Sequence, residues 1–149
     1  MLGNFVEVNT GFRNHQDADL NGKYPFFVRS KKIEHLNTYD FDEQAILVPG
    51  DGRIGEIFHL VNGRFVLHQR VYKIDNFMDI CPLFLLNLFK YSFKQHALRM
   101  NAQGTVPSLR KPVFTKWKIF LPQTFEQQKI GNFFEAFDLV IQLEQKRLD

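Results

Sequence analysis

The sequence predicts an α+β fold, a single mixed α/β domain with β-hairpins and a buried helix, followed by a C-terminal amphipathic helix. Three observations lead there. Short β-prone runs, separated by glycine, proline and Asn-Gly signals, fill the first half of the chain. Residues 83–100 are rich in Leu and Phe and hold no glycine or proline, as a helix interior requires. From Ile130 to Leu148 apolar residues return at three- and four-residue intervals, the period of one helix face.

The first half reads as a series of strands. Phe5, Val6 and Val8 predict a short strand, and residues 9–19 a polar loop. Asn21-Gly22 marks a turn. Residues 24–28 form a second strand, with Pro25 near its start or at an edge, where a missing N–H does least harm. Residues 30–42 read as a polar stretch, with Lys31, Lys32 and His35. Residues 45–48 are continuously apolar and end at Pro49-Gly50, so they read as a buried strand. Asn62-Gly63 between two β-prone runs predicts a hairpin, because both turn positions favour positive φ. On that reading Gln69 and Arg70 are strand residues.

The second half turns helical. Pro82 suits a first helical turn, and Leu85, Leu88, Phe89, Ser92 and His96 trace one face, thickened by Leu83, Leu86 and Phe93. Residues 113–121 look strand-like and end at Pro122. Thr124 and Gln127 predict a capping box, the Thr hydroxyl and Gln amide serving opposite orphan donors. The last helix then runs to Leu148 and leaves an apolar stripe of Ile130, Phe133, Phe134, Phe137, Val140, Ile141 and Leu148.

Composition limits the class of protein. The chain has 149 residues, 44% hydrophobic and 23% charged, with seventeen Phe, enough for one packed core. Its single cysteine, Cys81, has no internal disulfide partner, which points to a reducing compartment. The first residues show no signal peptide, and the longest apolar run, 83–86, is far short of the roughly 20 residues that span a bilayer. A soluble, cytoplasmic protein is expected.

Charge is unevenly spread. Residues 1–79 carry eleven acids against nine bases. Residues 80–125 carry no acid and seven bases: Lys90, Lys94, Arg99, Arg110, Lys111, Lys116 and Lys118. Such a local excess draws phosphate backbones; a solvated basic face without a partner would look the same.

Motifs for chemistry are few. Gly50-Asp51-Gly52-Arg53-Ile54-Gly55 matches the dinucleotide fingerprint, and Asp75 follows Gly55 by twenty residues. That fingerprint works only where a helix N-terminus faces the pyrophosphate. Here a β-run follows, so a turn between strands is expected, with Arg53 at its tip. None of the five histidines is spaced with another ligand for a metal. No Walker lysine or nucleophile elbow is present. No catalytic residues, metal or cofactor are expected.

One junction is more specific. Gly104 is followed by Leu109, the apolar run 114–120, and then Pro122-Gln123-Thr124-Phe125-Glu126-Gln127-Gln128-Lys129-Ile130, a P-x-x-x-E-Q-x-x-I sequence opening a long helix. This resembles the specificity subunit of type I restriction–modification enzymes. Gly22-Lys23-Tyr24-Pro25-Phe26-Phe27 and the run 45–69 agree with it. The resemblance implies a target recognition domain over residues 1–122 and a spacer or dimerisation helix over 123–149. It implies double-stranded DNA as ligand, a methyltransferase subunit and a restriction subunit as partners, and self-association through the helix stripe as a possibility. The full subunit of the family has two recognition domains, and this chain has one. Base readout is expected from Arg99, Asn101 and Gln103, with Lys31, Lys32 and Arg53 nearby. Phosphate contacts are expected from Lys94, Arg110 and Lys111. Two competing functions stand beside this one. They are a nucleotide-binding enzyme using residues 50–55, and a protein-interaction module acting through the last helix.

Overall fold

The structure, a computed structural model, describes residues 1–100 and 108–149. Six strands form its sheet: β1 (Glu7–Thr10), β2 (Tyr24–Phe27), β3 (Ile33–Leu36), β4 (Phe41–Pro49), β5 (His59–Leu67) and β6 (Val71–Asp75), in the spatial order β1-β6-β4-β5-β2-β3. All neighbours run antiparallel except β2 and β5. Four helices follow: α1 (Pro82–Leu88), α2 (Lys94–Met100), α3 (Lys111–Thr115) and α4 (Thr124–Leu148).

β4 is the central strand, as its continuous apolar run requires. Ile46 and Val48 face the helices, where Leu85, Phe89, Phe93, Phe114 and Trp117 pack on them in one core. Ala45 and Leu47 face the other way, into a second cluster with Phe27, Phe65, Leu67 and Val71. Among the described residues no helix contributes to that cluster. The sheet curls instead, and the chain just after β1 reaches the end of β5: the Phe12 and Arg13 N–H groups donate to the Leu67 carbonyl at 3.2 and 3.3 Å. Gly11 makes this closure possible, because a Cβ there would sit 2.1 Å from the Leu67 oxygen.

α1 and α2 are halves of one helix joined by a π-helical turn, Phe89–Phe93. The buried residues Leu85, Phe89, Phe93 and Ala97 recur every four positions. In a regular α-helix, at 3.6 residues per turn, that line would drift off the core; the wider π turn keeps both phenylalanines inward. Phe89 and Phe93 each lie close to Trp117, at centroid distances of 5.1 and 5.2 Å. Aromatic pairs of this kind add about 1 kcal/mol each beyond their buried area.

Four local expectations are corrected. β5 runs straight through Asn62 and Gly63, which pair with Gln44 and Glu43. β5 and β6 flank β4 rather than each other, and the chain turns at residues 68–70, where Val71 N–H donates to the His68 carbonyl at 3.0 Å. Pairing both strands to the apolar β4 buries more surface than a β5–β6 hairpin, so tertiary burial overrides the Asn-Gly preference. The polar stretch 30–42 contains β3, an edge strand that needs little apolar content. Residues 113–121 are not a strand: α3 covers their start. Beyond it Trp117, Ile119 and Leu121 alternate inward with exposed Lys118 and Phe120, without a ladder partner.

The fourth correction concerns Gln127. It caps nothing; Gln123 takes the N-cap position of α4. Gln127 is fully buried. Its Oε1 accepts from the Cys81 N–H at 2.8 Å, and its Nε2 donates to the carbonyls of Pro122 (2.8 Å) and Asp79 (3.2 Å). One amide thus ties the start of α4 to the chain entering α1. Gly131, one turn on, is also buried; a Cβ there would crowd the Phe84 nitrogen and the Leu83 side chain at 3.2 and 3.3 Å. Beyond Gly131 the helix is mostly exposed.

Replacing Gln127 with Leu strands the Cys81 N–H and two carbonyls in a buried site. A loss of about 3 kcal/mol is expected, read as a lower urea midpoint; an unchanged midpoint would count against this role. A second expectation concerns pH. Burial holds the His68 and His96 imidazoles below the ordinary histidine value of 6.5, although the Val113 carbonyl, 2.7 Å from His96 Nε2, pulls His96 the other way. The unfolded chain therefore takes up protons first as pH falls below 6.5, and stability falls with it. Urea midpoints at pH 7.5 and 5.5 test this, with proton NMR titration of the two rings to assign it.

Candidate nucleic-acid interface

Five segments meet at one end of the curled sheet. They are residues 13–15 after β1, 28–32 between β2 and β3, 50–53 after β4, the turn 68–70, and 108–110 before α3. Backbone bonds fix them to one another. Gly50 N–H donates to the Arg70 carbonyl at 2.8 Å, and its own carbonyl accepts from Leu109 N–H at 2.6 Å. Gln69 N–H donates to the Arg13 carbonyl at 2.9 Å, and the Gln69 side-chain amide donates to Asn14 Oδ1 at 2.5 Å. Asp51 forms an isolated β-bridge with Ser108 and an ion pair with Arg29 at 3.2 Å.

This end is rich in cations, and many are matched. Arg13 is paired with Asp40 at 2.9 Å. Lys32 lies 3.6 Å from Glu34, whose carboxyl is held below its usual range first by the hydrogen bond from His15 and then by Lys32. Arg53 and Lys94 share Glu56, at 2.8 and 3.4 Å. The Arg53 hydrogen bond, with that cation's field, lowers the Glu56 pKa from its usual value, and Lys94 adds to it. Among the described residues Arg70 and Arg110 have no carboxylate partner.

The structure scatters the residues expected from sequence. Lys31 and Lys32 lie in the β2–β3 turn, and Arg53 in the β4–β5 loop. Arg110 and Lys111 open α3 and are exposed. Lys94 lies on α2 beside Arg53 through Glu56, and Arg99 is exposed near the end of the same helix. Asn101 and Gln103 fall outside the described residues. Sequence reasoning missed Arg29 and set Gln69 and Arg70 in a strand, with structural hydrogen bonds at least as expected as DNA contact; they are exposed turn residues at the centre of this end. The polar triplet His68-Gln69-Arg70, between the apolar pairs Val66-Leu67 and Val71-Tyr72, was the available signal for that turn.

Residues 50–55 lack the geometry of the dinucleotide fingerprint. They form a turn between two strands, with Gly52 and Gly55 at φ +73° and +76°, and no helix N-terminus follows. Among the described residues no group of His, Cys, Asp and Glu is arranged to hold a metal ion, and no helix is long and apolar enough to cross a membrane.

α4 offers a second kind of surface. Ile130, Phe133, Phe134, Phe137, Val140, Ile141 and Leu148 are all exposed, from 36% at Ile130 to 80% at Leu148. Only Gln127 and Gly131 of the helix are buried, and Asp138 lies 3.9 Å from Lys90 of the α1–α2 helix. The stripe predicted from the sequence is real, and its own domain leaves it open.

A loop-gathering curled sheet with a long outlying helix is the fold of type I restriction–modification S subunits. The S subunit from M. genitalium superposes with a TM-score of 0.74 at 20% identity, over 92% of this chain and 37% of that one. The subunit from Thermoanaerobacter tengcongensis does so at 0.66 and 11%, over 98% and 38%. The profile of the type I restriction modification DNA specificity domain matches residues 1–149, and the chain belongs to that family. It is 29% identical to the EcoDI specificity subunit of Escherichia coli, over 99% of this chain and 32% of that protein. It is 27% identical to the MjaVIII specificity subunit of Methanocaldococcus jannaschii, over 99% and 37%. The chain spans about a third of the length of these relatives.

Glu56 is the carboxylate that occupies two of the candidate DNA contacts. Glu56→Gln removes its charge and leaves Arg53 and Lys94 unmatched. Duplex DNA affinity at low salt is then expected to rise a few-fold, the scale of an exposed ion pair; fluorescence anisotropy would show it, and equal or weaker binding would contradict it.

Proposed function

We propose that this chain reads a DNA sequence as the specificity component of a type I restriction–modification complex, and that methyl transfer and cleavage belong to partner subunits. The observation that carries this reading is the gathering of five loop segments and their cations on one rigid end. Family membership supports it, since the relatives are named as specificity subunits. In this reading residues 1–122 are the target recognition domain. Residues 123–149 are a spacer helix whose stripe packs against another helix, from a second recognition unit or a second copy. Base edges are read by Arg99, Asn101 and Gln103, with Lys31, Lys32 and Arg53. Guanidinium and amide groups suit guanine and adenine because each pairing is bidentate. Lys94, Arg110 and Lys111 hold phosphates and set register. The protein acts in the cytoplasm and uses no cofactor of its own.

The test is duplex DNA binding by the 149-residue chain across a salt series. Affinity is expected to fall by roughly one log unit per log unit of salt for each phosphate neutralised. Absence of binding at low salt, or binding indifferent to salt, overturns the reading. A thermal shift with a nucleotide cofactor and no DNA binding would favour the enzyme alternative instead.

A further inference from the structure

Between the turn 68–70 and residues 108–110 lies an open polar pocket of about 480 Å³. Arg70 and Arg110 both line it, with Thr10, Gln69, Tyr72 and Ser108. Most arginines at this end are matched: Arg13 by Asp40, Arg29 by Asp51, Arg53 by Glu56. Arg70 and Arg110 are not, among the described residues. Lys31 and Lys111 also lack a carboxylate there, but neither lines this pocket.

The spacing of the two guanidinium stems is fixed through one residue, Gly50. The Arg70 carbonyl accepts from Gly50 N–H, and Leu109, the residue before Arg110, donates to the Gly50 carbonyl. The Tyr72 hydroxyl braces the same strand by donating to the Leu109 carbonyl at 3.1 Å. Burial raises the pKa of that hydroxyl, while Arg110 and Arg70 both pull it down, so both cations face the same spot. Two like charges held over one pocket repel each other, and a shared anion relieves this. The hydroxyls of Thr10 and Ser108 can donate to that anion as well.

We propose that Arg70 and Arg110 together clasp a single backbone phosphate of bound DNA in this pocket. The proposal rests on the DNA-reading function above and adds Arg70 to its contacts. The phosphodiester is the anion a duplex presents, and the planar guanidinium fork matches its oxygens. Arg70 is then a positioning residue: it sets where the protein lies along the backbone and reads no base.

The shared phosphate gives an unusual signature in salt dependence. Duplexes of arbitrary sequence suffice, because the contact is blind to sequence. Arg70→Gln and Arg110→Gln are each expected to weaken binding about tenfold with little change in salt slope, since the remaining arginine still neutralises the phosphate. The double variant is expected to lower the slope by about 0.9, one phosphate's worth. Both side chains are exposed and the Gly50 bond uses only the Arg70 backbone, so the variants should melt like the parent. Lys146→Gln, on distant α4, serves as the charge-matched control. An unchanged slope in the double variant overturns the proposal, as does a loss of about 1.8, which would mean two separate phosphates. Parent protein that fails to bind duplex DNA overturns the proposed function itself, and this proposal with it.

Discussion

The Gln127 amide is the joint on which the rest of this molecule depends. It sits in a fully buried site and meets the chain at three places: the residue ahead of α1, the turn after β6, and the proline before α4. Each bond replaces water that the site excludes, so the amide cannot be lost without leaving polar groups stranded. Because Gln127 and Gly131 seat the base of α4 on α1, the mostly exposed remainder of the helix leaves that seat in a defined direction. A side chain at the root of the arm decides where its far end lies.

The same economy appears in the sheet. β4 carries one apolar run and serves two cores, one under the helices and one inside the curl. Curling brings the ends of non-sequential strands together, and so brings their loops together. The candidate interface is a consequence of this curvature: residues 13–15, 50–53 and 68–70 are distant in sequence and adjacent in space because Leu67 bonds back to the chain beyond β1.

Much of this was legible in the residues. The run 45–48 announced a buried strand, the Leu/Phe stretch a buried helix, and the three/four spacing the last helix and its exposed stripe. What failed, failed for physical reasons. Asn62-Gly63 is a strong local turn signal, but β4 offered a better partner for both flanking strands. With the turn misplaced, Gln69 and Arg70 were hidden as strand residues. Thr124 and Gln127 have the spacing of a capping box, yet a glutamine can reach away from its own helix end, and spacing does not say which way it points. Glu56 could not be paired with Lys94 in advance, because 38 positions separate them in the chain.

The bonds through Gly50 have one more implication, for how such a fold changes over generations. Its loops are braced to each other by peptide groups and by the Gln69–Asn14 side-chain bond, while the side chains of Arg70 and Arg110 are exposed outside that brace. The frame is indifferent to what those side chains are. Exchange of either alters the charge that this end presents and leaves the loop frame intact, so such changes are open to this fold without passing through unfolded intermediates.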